Sequence, residues 1–203
     1  MVKRPDFEKA RDYALNRLKN ELSPSLTYHS LGHTQDEVVP AADRLAIMEK
    51  VNDEDHLLLL TGAYYHDLGF IRQRKGHELI SVQLAEESLP QCGYSDADIA
   101  VVRGIILTTR LPQSPTRLLE KIMADADMDD LGHENFWDRS NDLRQELVNF
   151  GVKYTDEEWY GNQLQLMESH EYYTESERVL RNSTKKQHIL ALKQILAQTN
   201  MSK

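Results

Sequence analysis

Apolar residues recur at three- and four-residue intervals along nearly the whole chain, while the two-residue alternation of a strand is rare. That pattern predicts an all-α protein of about nine helices. The first starts at Pro5, a favoured first-turn residue, and runs to about Leu22, with Phe7, Ala10, Ala14, Leu15 and Leu18 on one stripe. Ser23-Pro24-Ser25 stops it, and a second helix follows from about Leu31 to Val51, with Pro40 inside as a kink or division. Asn52 or Asp53 caps a third, about Glu54 to Leu68, ended by Gly69. Its centre, Leu57 to Ala63, is apolar nearly all round, which predicts a buried helix. Further helices are expected near His77–Leu89, Asp96–Thr109, Thr116–Leu131, Glu134–Phe150, Asp156–Ser169 and Glu175–Gln198, with Ser95 and Asp98 forming a capping box on the fifth.

Four polar spots interrupt this pattern: Tyr28-His29 to His33-Thr34, Tyr65-His66-Asp67-Leu68-Gly69-Phe70, Gly76-His77-Glu78, and Ala124-Asp125-Ala126-Asp127 to Gly132. His66 and Asp67 end the most apolar helix, where burying them is costly unless something satisfies them. A divalent cation suits both imidazole nitrogen and carboxylate oxygen. Alone, the doublet is better read as a histidine capping helix carbonyls beside a solvated aspartate. Asp125 and Asp127 lie on different faces of their helix, and acids so close together repel unless a cation is near; a solvated acidic helix end is the plain alternative. His29 and His33, four apart, share a face if the helix reaches back that far.

Taken together and in order, these residues resemble the HD-domain superfamily of metal-dependent phosphohydrolases. Its signature is a first His, a His-Asp doublet and a later Asp after an Ala, here His33, His66-Asp67 and Ala126-Asp127. The likeness spans about residues 25–180 and includes Gly76 to Leu89, Thr109 to Gln113, Asp125 to Gly132 and His170 to Thr174. It implies one HD-type domain over residues 1–203, with His33, His66, Asp67 and Asp127 as ligands of a divalent ion (Mn, Fe, Ni, Mg or Zn). Asp125 is the rival for the last place, and Met128 to Gly132 favours Asp127. His29 matches the histidine that protonates the leaving oxygen in the related cyclic-nucleotide phosphodiesterases. Thr108-Thr109 stand where a histidine-rich second metal site would place histidines, so one tightly held ion is expected.

The implied reaction is hydrolysis of a phosphoester, in a nucleotide or another small phosphorylated metabolite, by a metal-activated water. Asp67 would orient that water, His29 or His77 would protonate the leaving alkoxide, and Arg110, Arg72 or Lys75, with Arg74, would meet the phosphate. Competing readings are a cyclic-nucleotide or cyclic-dinucleotide phosphodiesterase, a di-iron oxygenase, and a non-catalytic metal-binding signalling module.

Composition narrows the partners. A length of 203 residues suits one compact domain, with a second small lobe left open. A net charge of −9 with scattered basic residues argues against a nucleic-acid track. No apolar run is long enough to span a bilayer, and no signal peptide is evident, so a cytoplasmic protein is expected. Homo-oligomerisation stays open. Cys92, the single cysteine, excludes an intrachain disulfide and a thiolate zinc cluster. The late aromatics Phe136, Trp137, Phe150 and Trp159 are expected to pack, and His188 to lie on the surface.

Overall fold

The computed structural model describes residues 5–201, which form nine α-helices and no strand among the described residues. They fall into two compact units: Met1–Pro24 with His29–Asp127, and Ser25–Tyr28 with Met128–Lys203. No helix among the described residues is long and apolar enough to cross a membrane.

In the first unit, α1 (Phe7–Glu21) is capped by the Asp6 carboxylate, which accepts from the Lys9 N–H, and buries Ala10, Ala14 and Leu18 on the stripe its spacing predicts. A π-helical segment, His33–Val38, leads into α2 (Val39–Met48). Pro40 explains the wider turn. In an unbroken α-helix its ring would strike the Asp36 carbonyl four residues back, and the π segment shifts that carbonyl row. The Val39 N–H accordingly reaches back to Thr34 O. The expected kink is therefore a π segment.

Asn52 caps α3 (Asp53–Tyr65) by accepting from Glu54 and Asp55. Leu59, Ala63 and Tyr65 on this helix have no solvent exposure. Tyr65 joins Leu18, Leu68, Leu84, Leu89, Val102 and Ile106 in one core. Each fully buried leucine or isoleucine there contributes about 1.5–3 kcal/mol. α3 stops at Tyr65, three residues before the expected end, and a 3-10 turn, Leu68–Ile71, takes over. The His66 carbonyl accepts instead from Ser81 Oγ at 2.6 Å, and Ser81 Oγ accepts from the Gly69 N–H. This turn lies hard against the start of α4 (His77–Ser88): a Cβ on Gly69 would sit 1.9 Å from the His77 carbonyl oxygen. Only glycine fits there, and the approach is what brings His77 towards Asp67.

α5 (Asp96–Leu107) begins with the predicted Ser95–Asp98 capping box. It packs so closely on α3 that a Cβ on Gly62 would lie 2.4 Å from Ile105. α6 (Leu118–Asp127) ends four residues earlier than expected, because Met128 leaves helical geometry (φ −112°, ψ 17°) and a 3-10 turn, Asp129–Gly132, follows. Asp127 is thus the last residue of its helix.

The second unit contains that turn, α7 (Phe136–Asn149), α8 (Asp156–Ser169) and α9 (Glu175–Met201) around Leu131, Phe136, Met167 and Leu192. Trp159 is buried there as expected, whereas Phe150, just past α7, is 38% exposed. His188 is not a surface residue. It is buried, stacks on Phe136 at 4.7 Å, and its Nδ1–H donates to Leu131 O at 3.0 Å, because its helical face turns inward beside Leu192.

Candidate metal centre

Helix ends set the centre of the first unit. His33 opens the π segment, His66 caps the C-terminus of α3, Asp67 follows it, and Asp127 ends α6. Side chains at helix ends escape the crowding of the cylinder and can be aimed at a common point. His33, His66 and Asp127 do so, each offering one ligand atom within 4.8 Å of the others. His33 Nε2 lies 3.5 Å, and His66 Nε2 3.4 Å, from Asp127 Oδ1. Asp67 Oδ2 joins them, 3.3 Å from His66 Nε2 and 3.9 Å from His33 Nε2. Atoms bound about 2.1 Å from one cation lie roughly 3.0–3.4 Å apart, so the cluster needs little contraction to hold an ion.

The tautomers agree with that use. A carbonyl oxygen only accepts, so His66, bonded to Ala63 O at 2.7 Å, must carry its proton on Nδ1 and leave Nε2 bare when neutral. His33 is held in the same sense by Glu37, whose Oε2 lies 3.1 Å from Nδ1. His66 Nε2 and Asp67 Oδ2 are both buried, and neither has a hydrogen-bond partner despite their ion-pair distances. Orphaned buried atoms of this kind cost about 1–3 kcal/mol each, more when charged, unless something satisfies them.

The electrostatics point the same way. Burial by itself would drive the proton from His33, but the carboxylates of Asp127, Glu37 and Asp67 outweigh it and raise its pKa to about 9. His66, equally opposed by burial, is raised well above its ordinary range by Asp67 and Asp127. Burial would raise both carboxyls, yet the facing histidines hold Asp67 well below the usual range and Asp127 at about 2. The carboxylates demand positive charge at this point, and two imidazoles with two carboxylates are a donor set that suits a divalent ion.

Asp67 also faces outward from the cluster. Its Oδ1 lies 3.3 Å from His77 Nε2, while His77 Nδ1–H donates to Arg74 O at 3.0 Å. Phe70 stacks on His77 at 3.9 Å and on His29 at 4.3 Å, and the His29 ring is 6.1 Å from that of His33. The sequence-predicted histidines are therefore all grouped here. Asp125, the rival of Asp127, is fully buried, but the cluster is completed by Asp127.

The expected phosphate-binding cations are not gathered in the same way. Arg72 pairs with Glu87 at 3.8 Å, near the far end of α4, about 15 Å along the helix from His77. Lys75 and Arg110 are exposed loop residues. One residue of the site, Glu37, escaped the sequence reading, and Phe70, inside one of the four polar spots, was given no role in it. Glu37 stands four positions after His33, a spacing that puts it on the same helical face. Phe70 gave no signal, since an aromatic after a His-Asp-Leu-Gly turn reads as core.

No family model matches the sequence, and no curated protein matches it. Solved structures do. A predicted HD superfamily hydrolase from an uncultured Thermotogales bacterium is 19% identical over 96% of this chain and 93% of its own, with a TM-score of 0.64. A Lactobacillus plantarum protein is 18% identical over 99% of this chain and 100% of its own, with a TM-score of 0.73. Bacillus subtilis YpgQ, solved in complex with ADP, is 19% identical over 94% and 95%, with a TM-score of 0.67. The chain therefore has the all-α fold of an HD superfamily hydrolase, and it carries in that fold a His–Asp cluster able to bind a divalent metal.

Proposed function

We propose that this protein is a metal-dependent phosphohydrolase that cleaves a phosphoester of a nucleotide or another small phosphorylated metabolite. The observation that carries this reading is the convergence of His33, His66 and Asp127, with Asp67 beside them, on one buried point where orphaned ligand atoms remain. His33, His66, Asp67 and Asp127 would hold the ion. When bound, the ion lowers the pKa of a coordinated water and withdraws charge from the phosphoryl group.

The remaining work falls to the chain's own side chains. Asp67 has two oxygens in different surroundings, Oδ2 in the cluster and Oδ1 towards His77, so it can orient a water on the His77 side. Asp67 raises the pKa of His77 over the opposing effect of burial, which keeps a proton on the imidazole for a leaving alkoxide. His29, stacked on the other side of Phe70, is the second candidate for that proton transfer. Lys75, Arg110 and Arg72, exposed at turn and loop positions, would meet the phosphate from solvent. That YpgQ was solved with ADP favours a nucleotide among the possible substrates.

Elemental analysis of the purified protein, beside His66→Ala and Asp127→Ala, tests the reading together with a phosphate-release screen of nucleotides. About one equivalent of metal, lost in both variants along with phosphate release, is the expected result. A wild-type protein that takes up no Mn²⁺, Fe²⁺, Ni²⁺, Mg²⁺ or Zn²⁺ on dialysis would overturn it.

A further inference from the structure

We infer that Glu37 is the positioning residue of the centre: it fixes the tautomer and aim of His33 and strengthens its nitrogen as a ligand. The inference rests on the metal-centre reading above.

The three histidines whose Nε2 atoms face the carboxylates are anchored differently. His66 and His77 each give Nδ1–H to a main-chain carbonyl close by in sequence, Ala63 and Arg74, so the fold itself sets their orientation. At His33 the partner of Nδ1 is a side chain. It is the first residue of the π segment, and its Nδ1 is met by the Glu37 carboxylate at 3.1 Å, one turn onward on the same face. A carboxylate accepts only, so it sets the Nδ1–H tautomer and leaves the Nε2 lone pair towards Asp127 and Asp67. Unlike a carbonyl, it also brings a full negative charge, which makes the imidazole a stronger donor to a cation.

The local backbone supports the pairing. Pro40 forces the π segment, and the π segment carries both His33 and Glu37. The His33 side chain is 4% exposed while that of Glu37 is 31% exposed, so the carboxylate sits at the rim and the imidazole beneath it. Such an arrangement lets Glu37 hold the ligand without itself entering the cluster.

Calorimetric titration of Zn²⁺ into metal-free protein, beside Glu37→Ala and Glu37→Gln, provides the test. The alanine variant is expected to bind Zn²⁺ about 10–100-fold more weakly. Glutamine keeps an acceptor but not the charge, and should fall between it and wild type. Long-range ¹H–¹⁵N spectra of the metal-free protein give a second readout, in which the Nδ1–H signal of His33 is present in wild type and Glu37→Gln and lost in Glu37→Ala. Zn²⁺ affinity of Glu37→Ala within roughly threefold of wild type would overturn the inference. Should Glu37→Ala not fold, Glu37→Gln decides, and affinity equal to wild type counts against the role of charge. If wild type itself binds no Zn²⁺, the metal-centre reading falls, and the Nδ1–H signal alone then decides whether Glu37 orients His33.

Discussion

In the unit that carries His33, the buried ionisable groups are turned on one another around a single point, and two of their atoms have no hydrogen-bond partner. In the unit that carries α7, α8 and α9, several buried charges are instead paired one with one inside the protein. Arg139 donates to Asp142 and to the Tyr28 carbonyl, and its guanidinium lies 4.5 Å over the Tyr28 ring. Arg181 forms a two-bond pair with Asp129, and the Tyr28 N–H donates to the Glu146 carboxylate. Lys185 donates to His170 Nδ1 at 2.9 Å. Charge that is paired off within the protein holds a fold together. Charge that is concentrated and incompletely matched is a binding site for something that brings the missing charge.

The comparison can be broken first at the centre. Asp127→Asn should weaken metal binding by more than about 100-fold, beyond what loss of an outer partner costs, while Asp125→Asn should leave it within about threefold. Equilibrium dialysis with Mn²⁺ distinguishes the two, and equal losses would mean that Asp125 shares the ligand role. Next in size, Arg139→Ala should lower unfolding free energy by about 1–3 kcal/mol and leave metal content per folded molecule unchanged. Urea titration with metal analysis reads both quantities. A loss of metal without loss of stability would show that the second unit is more than scaffolding.

The smallest effect concerns pH. Burial, then the adjacent Lys185 charge, lowers the pKa of His170 to about 4. The folded state therefore releases a proton that the unfolded chain keeps, and the stability due to neutral His170 is present above pH 6.5 and lost as pH falls towards 4. His170→Gln should accordingly gain on wild type by about 1–2 kcal/mol between pH 7 and pH 5. Parallel urea midpoints for the two proteins over that range would refute a buried, neutral His170.

Much of the frame was legible without coordinates. Three-to-four spacing located the nine helices of the described residues, and Asn52 and Ser95 cap α3 and α5 as their side chains dictate. Local rules suffice there because caps and stripes involve residues within one or two turns. They failed where the outcome depended on a distant partner. His188 reads as a surface residue until Leu131 and Phe136 are found beside it, 57 and 52 positions earlier in the chain.

The site divides along the same line. The sequence by itself placed His66 and Asp67 at the end of the most apolar helix, where burial would be costly unless something satisfied them. Only the tertiary structure decided what stands opposite: Asp127, sixty positions after Asp67, chosen because α6 ends there, and His33 with Glu37 behind it, aimed by a π turn that Pro40 imposes. Local chemistry fixes which residues cannot be left alone, and packing over long chain separations fixes which of them meet.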